Sequence, residues 1–210
     1  MLSVGYIHPG SVTEPFMTSL LQAVMQDSTQ RQVITGLISV PTSIHAHGRN
    51  AVVARFLASQ DEWLLMVDTD MIFTLADIYT LLDADKPLIG GLYLMRHDLK
   101  SPLPAWTSEG FAQVLDVEPG PMRMNTVGTG FLLVHRTALE KLGANNGEDP
   151  WPWFGHDIHA GTRAGEDVTF CQRLAQLGIE VWGHGGVHVG HVGTTVLWPT
   201  DHTIKEDSHG

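Results

Sequence analysis

Asp68-Thr69-Asp70 sets two carboxylates, one residue apart, directly after the apolar run Trp63-Leu64-Leu65-Met66-Val67. Carboxylate oxygens are hard ligands suited to Mg²⁺ or Mn²⁺, ions usually held by one or two carboxylates together with substrate phosphates. A buried strand ending in such a pair delivers it to the carboxyl edge of an open α/β sheet, where ligands bind. The triplet is short, and an Asp pair after a strand is also ordinary turn chemistry. Taken alone it leaves metal site and turn both open.

Two further groups carry chemistry. The stretch Gly183-His184-Gly185-Gly186-Val187-His188-Val189-Gly190-His191-Val192-Gly193 offers imidazoles, which ligate borderline metals such as Mn²⁺, among glycines that allow close backbone approach. His191 is the ligand expected here, and His184 reads as a surface or satisfied core histidine. In Gly165-Glu166-Asp167 both acids fall in the first turn of a helix, where the dipole favours negative charge. They either cap that helix or supply a general base for an acceptor hydroxyl, with Asp167 ahead of Glu166. The rings of Pro150-Trp151-Pro152-Trp153-Phe154 either form a stacking platform for an acceptor or pin their loop to the domain. Trp198 reads as part of a tail closing over a nucleotide, and Trp106 as core.

These groups need an alternating α/β framework, and the hydrophobic pattern supplies one. A strand is predicted over about residues 2–7, ending at His8-Pro9-Gly10, and a helix starts at Thr13-Glu14-Pro15. A strand from Val33 to Val40 leads to a polar loop with His45, His47, Gly48, Arg49 and Asn50, then a helix burying Val52, Val53, Phe56 and Leu57. After the strand Trp63–Val67, covered on both faces, Thr74 to Asp77 has capping-box spacing and opens a helix to about Leu82. Further strands are predicted at Leu88–Leu94, Phe111–Val117 and Phe131–Val134, the last led by Gly128-Thr129-Gly130. Thr137 to Glu140 is a second capping box, on a helix ended by Gly143. Residues 144–165 read as a lid or acceptor loop. A helix from Glu166 to about Leu177, closed by Gly178, and a strand near Ile179–Trp182 complete one domain over 1–198, with 199–210 a polar, mobile tail.

Bulk properties narrow the classes. The 210 residues suit one domain with a full core. Lys and Arg number 12 against 23 Asp and Glu, a formal charge of −11 with no basic run, which disfavours tight nucleic-acid binding by counterion release. The same charge means that a phosphate-bearing ligand needs a cation or backbone donors. One cysteine, Cys171, allows no internal disulfide and fits a reducing cytoplasm. Neither a signal peptide nor an apolar run of about eighteen residues is present, so no membrane span is expected.

Together, Trp63–Asp70, Gly128–Val134, Gly165-Glu166-Asp167 with Phe170 and Cys171, and Gly190-His191 resemble glycosyltransferases of the GT-A fold. The likeness is greatest to family-2-type nucleotide-sugar enzymes and their small bacteriophage relatives. It implies a single Rossmann-like α/β domain with a mixed, mainly parallel sheet flanked by helices. It also implies Mn²⁺ or Mg²⁺ and a nucleoside-diphosphate sugar donor, with UDP-sugars favoured. By resemblance Asp70 coordinates the metal, Asp68 with Thr69 meets the donor and shares the metal site, and His191 is the distant metal ligand. Asp167, then Glu166, is the base. Arg49 and Asn50 line the donor pocket, and Gly128-Thr129-Gly130 shape the sugar and acceptor pocket. The family's first strand ends in Pro, an aromatic and Asn, whereas His8-Pro9 stand here, and these two are assigned to the base side of the donor. No Gln/Arg-x-x-Arg-Trp motif follows the acids, which argues against a polysaccharide synthase. The implied acceptor is a modified DNA base, a virion protein or a glycan, met in the host cytoplasm if the gene is a phage's. The competitors are a non-catalytic nucleotide-sugar-binding module and a phosphohydrolase with Asp68 as nucleophile. The second lacks the hydroxyl residue that usually follows the pair, since Met71-Ile72 stand there.

Overall fold

The computed structural model describes residues 1–95, 106–107, 117–159, 162–193 and 196–198. In chain order the elements are β1 (Leu2–His8), α1 (Glu14–Asp27), β2 (Ile34–Pro41), α2 (His45–Leu57), β3 (Trp63–Val67), β4 (Met71–Ile72), α3 (Leu75–Asp83), β5 (Leu88–Leu92), β6 (Pro121–Met124), β7 (Phe131–His135), α4 (Arg136–Asn145), β8 (Ile158–His159), β9 (Thr162–Arg163), α5 (Glu166–Gln176), β10 (Val181–His188), β11 (Gly190–Val192) and β12 (Val196–Leu197). A seven-stranded sheet has the order β2-β1-β3-β7-β5-β10-β6. β1 runs parallel to β2 and β3, and β10 parallel to β5, while β7 opposes both its neighbours and β6 opposes β10.

The apolar runs are continuous because this sheet is covered on both faces. Along β3, Leu64 and Met66 enter one core with Val52 and Phe56 of α2, Leu139 of α4 and Phe170 of α5. Leu65 and Val67 point the other way, onto Phe16 and Leu20 of α1 and Ile78 and Leu81 of α3. The result is the expected mixed, mostly parallel α/β sheet between helical layers. No described helix is long and apolar enough to cross a membrane.

Local signals held where they satisfy backbone groups. Thr13 caps α1, Thr74 and Asp77 form a full capping box on α3, and Gly178 takes φ +74 just beyond α5. Four expectations shift. The polar loop at 45–50 is the first half of α2: Ala46, Gly48, Arg49 and Asn50 are buried on its inner face, while His45 and His47 face solvent. α4 is capped by His135, not Thr137, and runs through Gly143 to Asn145. Gly143 is small because the Trp153 ring lies on it, with Cζ2 only 3.1 Å from where a Cβ would stand. β10 extends through the glycine/histidine stretch to His188, and the loop after α4 contains the β8–β9 hairpin. β6 carries no sequence signal that marked it. Residues 111–116 of the strand expected at Phe111–Val117, and the tail 199–210, lie outside the described residues.

Candidate active site

β1 and β3 end, and β7 begins, at one edge of the sheet. There the Asp68 N–H donates to the Gly130 carbonyl at 2.9 Å, and the N–H and hydroxyl of Thr13 donate to the Thr69 carbonyl at 3.2 and 2.8 Å. The acidic triplet is thus fastened to β7 and to the start of α1. It forms the floor of a cleft of about 610 Å³.

A three-stranded ribbon, β12-β11-β4, brings the distant histidine to this floor. β11 pairs antiparallel with β4, matching His191 to Met71, and the Val192 N–H donates to the Asp70 carbonyl at 2.8 Å. His191 Nδ1 lies 2.8 Å from the Leu94 carbonyl oxygen, and Nε2 lies 3.3 Å from Asp70 Oδ2. A carbonyl only accepts, so Nδ1 carries the proton and Nε2 turns toward a carboxylate. Two acceptors at that distance need a proton or a cation between them. Burial disfavours the imidazolium, but the hydrogen bonds and the charges of Asp70 and Asp68 outweigh it and raise the His191 pKa. A ring that donates one N–H to a carbonyl and offers the other nitrogen is the usual arrangement of a metal-ligating histidine. Among the described residues no group of three or more His, Cys, Asp or Glu gathers around one point. Asp70 and His191 are a pair that could hold a cation here only together with oxygens from a substrate.

Asp68 is engaged differently. Arg49, 5% exposed, donates through Nη2 to both Asp68 oxygens, at 2.9 and 3.2 Å, and through Nη1 to Glu166 Oε1 at 2.5 Å. Burial alone would lower the guanidinium's pKa, and the two carboxylates keep it raised. His45, 3.6 Å from Glu166 Oε1, and Arg49 hold the Glu166 carboxyl down at about 2. The neighbouring acid goes the other way. Asp167 is pushed up, chiefly by burial and further by the charge of Glu166, against the Val168 N–H that donates to its Oδ1 at 2.8 Å. Both acids line the cleft. One is a permanently ionised partner of Arg49, and the other is a carboxyl whose proton affinity is raised, as a general base needs.

No protein-family model matches the sequence, and no curated protein does. Among solved structures the chain is similar to A197 from STIV, with a TM-score of 0.62 and 17% identity over the whole of both chains. It is also similar to GalNAc-T7, solved with UDP, GalNAc and Mn²⁺, with a TM-score of 0.57 and 12% identity over 92% of this chain. The chain has a GT-A-like fold. It spans 44% of the GalNAc-T7 chain, less than half.

Within this GT-A-like frame the other expected residues fall into two sets. His8, Pro9, Thr69 and Thr129 line the cleft with Asp68, Asp70 and His191. His8 accepts the Gly10 N–H on Nδ1 at 3.1 Å and donates from Nε2 to Ser39 Oγ at 3.1 Å, which sets its ring. Gly128, Gly130, Asn50 and Trp198 lie outside the lining. Asn50 instead holds the segment after α4: its amide donates to the Ala46 and Phe154 carbonyls at 2.7 and 2.6 Å and accepts from the Trp153 and Phe154 N–H groups. Phe154 is fully buried, stacked on Phe170 at 4.3 Å, and Trp153 Nε1 donates to the Leu139 carbonyl. The Trp-Pro-Trp-Phe rings therefore pin their segment to the GT-A core. Sequence reasoning missed Tyr93, Thr42 and Ser43, which also line the cleft. Tyr93 was hidden because it continues an apolar strand, where a tyrosine reads as core.

Proposed function

We propose that the protein is a metal-dependent glycosyltransferase that moves a sugar from a nucleoside-diphosphate sugar, UDP-sugars first, to an acceptor hydroxyl. The observation that carries this reading is the facing of Asp70 and His191 across 3.3 Å on the floor of the cleft, with the histidine's other nitrogen tied to Leu94. Charge supports it as well. Four carboxylates, Asp68, Asp70, Glu166 and Asp167, face the cleft against the single guanidinium of Arg49 among its described lining residues. A diphosphate is repelled from such a cleft unless a cation comes with it. Asp70 and His191 would hold a divalent ion, which when bound would supply that charge and stabilise a leaving diphosphate. The solved complex of GalNAc-T7 with UDP and Mn²⁺, on a similar fold, agrees with this pairing of nucleotide and metal.

The chain's own residues do the rest. Asp167 accepts the proton of the acceptor hydroxyl as its oxygen bonds to the anomeric carbon and the bond from that carbon to the diphosphate breaks. Asp68, fixed by Arg49, orients the donor and leaves the cation to Asp70 and His191. Glu166 acts by fixing Arg49 and is not the base, because a carboxyl held at about 2 is a weak proton acceptor. The test is transfer or hydrolysis of UDP- and GDP-sugars with Mn²⁺. Asp70→Ala and His191→Ala should each lower the metal-dependent rate by about a hundredfold or more, the usual scale for losing a group that stabilises transition-state charge. Full metal-dependent activity in Asp70→Ala would overturn the reading.

A further inference from the structure

Tyr93 directly follows β5 and is buried, yet it lines the cleft. Its ring stands edge-on to His191, with centroids 5.8 Å apart and planes at 88°. The Gly130 N–H donates to its hydroxyl oxygen at 3.0 Å. The fit is close enough to require glycine at that position, since a Cβ there would lie 2.9 Å from Tyr93 Cζ and Oη.

A phenol has one O–H to donate besides its acceptor lone pairs. The bond from Gly130 uses an acceptor site and leaves that proton without a partner among the described residues. A buried donor left unmade costs about 1–3 kcal/mol, so the hydroxyl is poised for an oxygen that enters the cleft.

Asp68 and Asp167, which line the same cleft, decide which oxygen fits. A phosphate oxygen accepts from the phenol but has no proton to give these carboxylates, and its charge is met by the cation proposed at Asp70 and His191, not by Tyr93. A sugar hydroxyl matches both needs, because it accepts from the phenol and can donate to a carboxylate. We propose that Tyr93 donates a hydrogen bond to a hydroxyl of the transferred sugar and so helps select which sugar is bound. This rests on the reading of the cleft as a nucleotide-sugar site. Sites built to pair a hydroxyl discriminate strongly against analogues lacking it, since the protein group is then left unpaired.

Calorimetric titration with Mn²⁺ tests this, using UDP, UDP-glucose and UDP-galactose on the wild type and Tyr93→Phe. The variant should bind the preferred UDP-sugar about fivefold to tenfold more weakly, the worth of one neutral hydrogen bond, and bind UDP unchanged. Equal weakening for UDP and UDP-sugar would mean a scaffold role through Gly130, and no weakening would mean no role; either overturns the proposal. Phenylalanine leaves the Gly130 N–H unpaired, so a second measurement uses the wild type with monodeoxy versions of that sugar on UDP. One deoxy position should cost about the same factor, and Tyr93→Phe should be indifferent to that deletion. If every deoxy donor binds the wild type as tightly as the parent, the proposal fails while the nucleotide-sugar reading stands. A wild type that binds neither UDP nor any UDP-sugar overturns both.

Discussion

Glu166 and Asp167 are adjacent in sequence and of the same chemical type, yet their surroundings push their proton affinities apart. That separation is the basis of the roles proposed for them: Glu166 is paired with Arg49, and Asp167 is free of that pairing. It also predicts two pH effects of different kinds. Glu166 has a folded pKa of about 2 against an ordinary 4.5, so its ionised form is favoured by folding. The stability this contributes is fully present above pH 4.5 and is lost as pH falls toward 2. Chemical denaturation from neutral pH down to about 2.5 should therefore give a shallower loss of stability for Glu166→Gln than for the wild type. Asp167 is raised, so its ionised form is disfavoured, and as a base it works only when ionised. The acid limb of kcat/KM should accordingly lie above the ordinary aspartate range of about 4. Asp167→Asn should remove that limb and lower kcat by about a hundredfold, within the usual range for general-base catalysis. If Glu166→Gln had the larger effect on kcat and Asp167→Asn the larger effect on acid stability, the assignment would be reversed.

Among the elements, α2 does more than pack. Its first half carries Arg49 into the ion-pair network and Asn50 into the segment at 153–154, and both depend on how close the helix lies to β1. Gly48 permits that approach: a Cβ there would come within 2.7 Å of Ile7 Cγ2 and 2.6 Å of Thr42 Cγ2. Gly48→Ala should cost about 1–3 kcal/mol by overpacking and should reduce activity, as α2 shifts and Arg49 with it. A Gly48→Ala variant with unchanged stability and rate would show that α2 has room to move. Asn50→Ala leaves the Trp153 and Phe154 N–H groups and the Phe154 carbonyl without their partner. It should destabilise by about 2 kcal/mol and speed hydrogen exchange at residues 153–154 before other regions. The ribbon of β4 and β11 is the other positioning element. Its backbone pairing sets His191 beside Asp70.

At the scale of the whole molecule, the pair proposed to take the cation is positioned by backbone hydrogen bonds of the ribbon. Chelation with EDTA should therefore abolish transfer while leaving the circular dichroism spectrum unchanged. Mn²⁺ alone should raise the melting temperature little, since the proposed site offers a pair of protein ligands among the described residues, whereas Mn²⁺ with UDP should add about 2.7 kcal/mol at a hundredfold excess over Kd. A large Mn²⁺ shift without nucleotide would point to a fuller protein cage than Asp70 and His191. The sequence by itself determined the elements whose signals are local. The apolar run Trp63–Val67, the Thr74–Asp77 capping box and Gly178 each satisfy or bury groups within a few residues, so neighbours in the chain suffice to read them. The residues alone made the candidate site legible as types in order, a carboxylate pair, a later acid pair and a later histidine, and the family resemblance added the pairing of Asp70 with His191. Tertiary structure decided which of them meet. It turned Asp68 toward Arg49 and His191 toward Asp70, and it sent Asn50 to the loop beneath Phe154. It also made Tyr93 part of the cleft and Gly143 part of a helix. The physical reason is that proton affinity, ion pairing and close approach depend on through-space distances and burial. Residues as far apart as Asp70 and His191 acquire these only when strands distant in sequence pair.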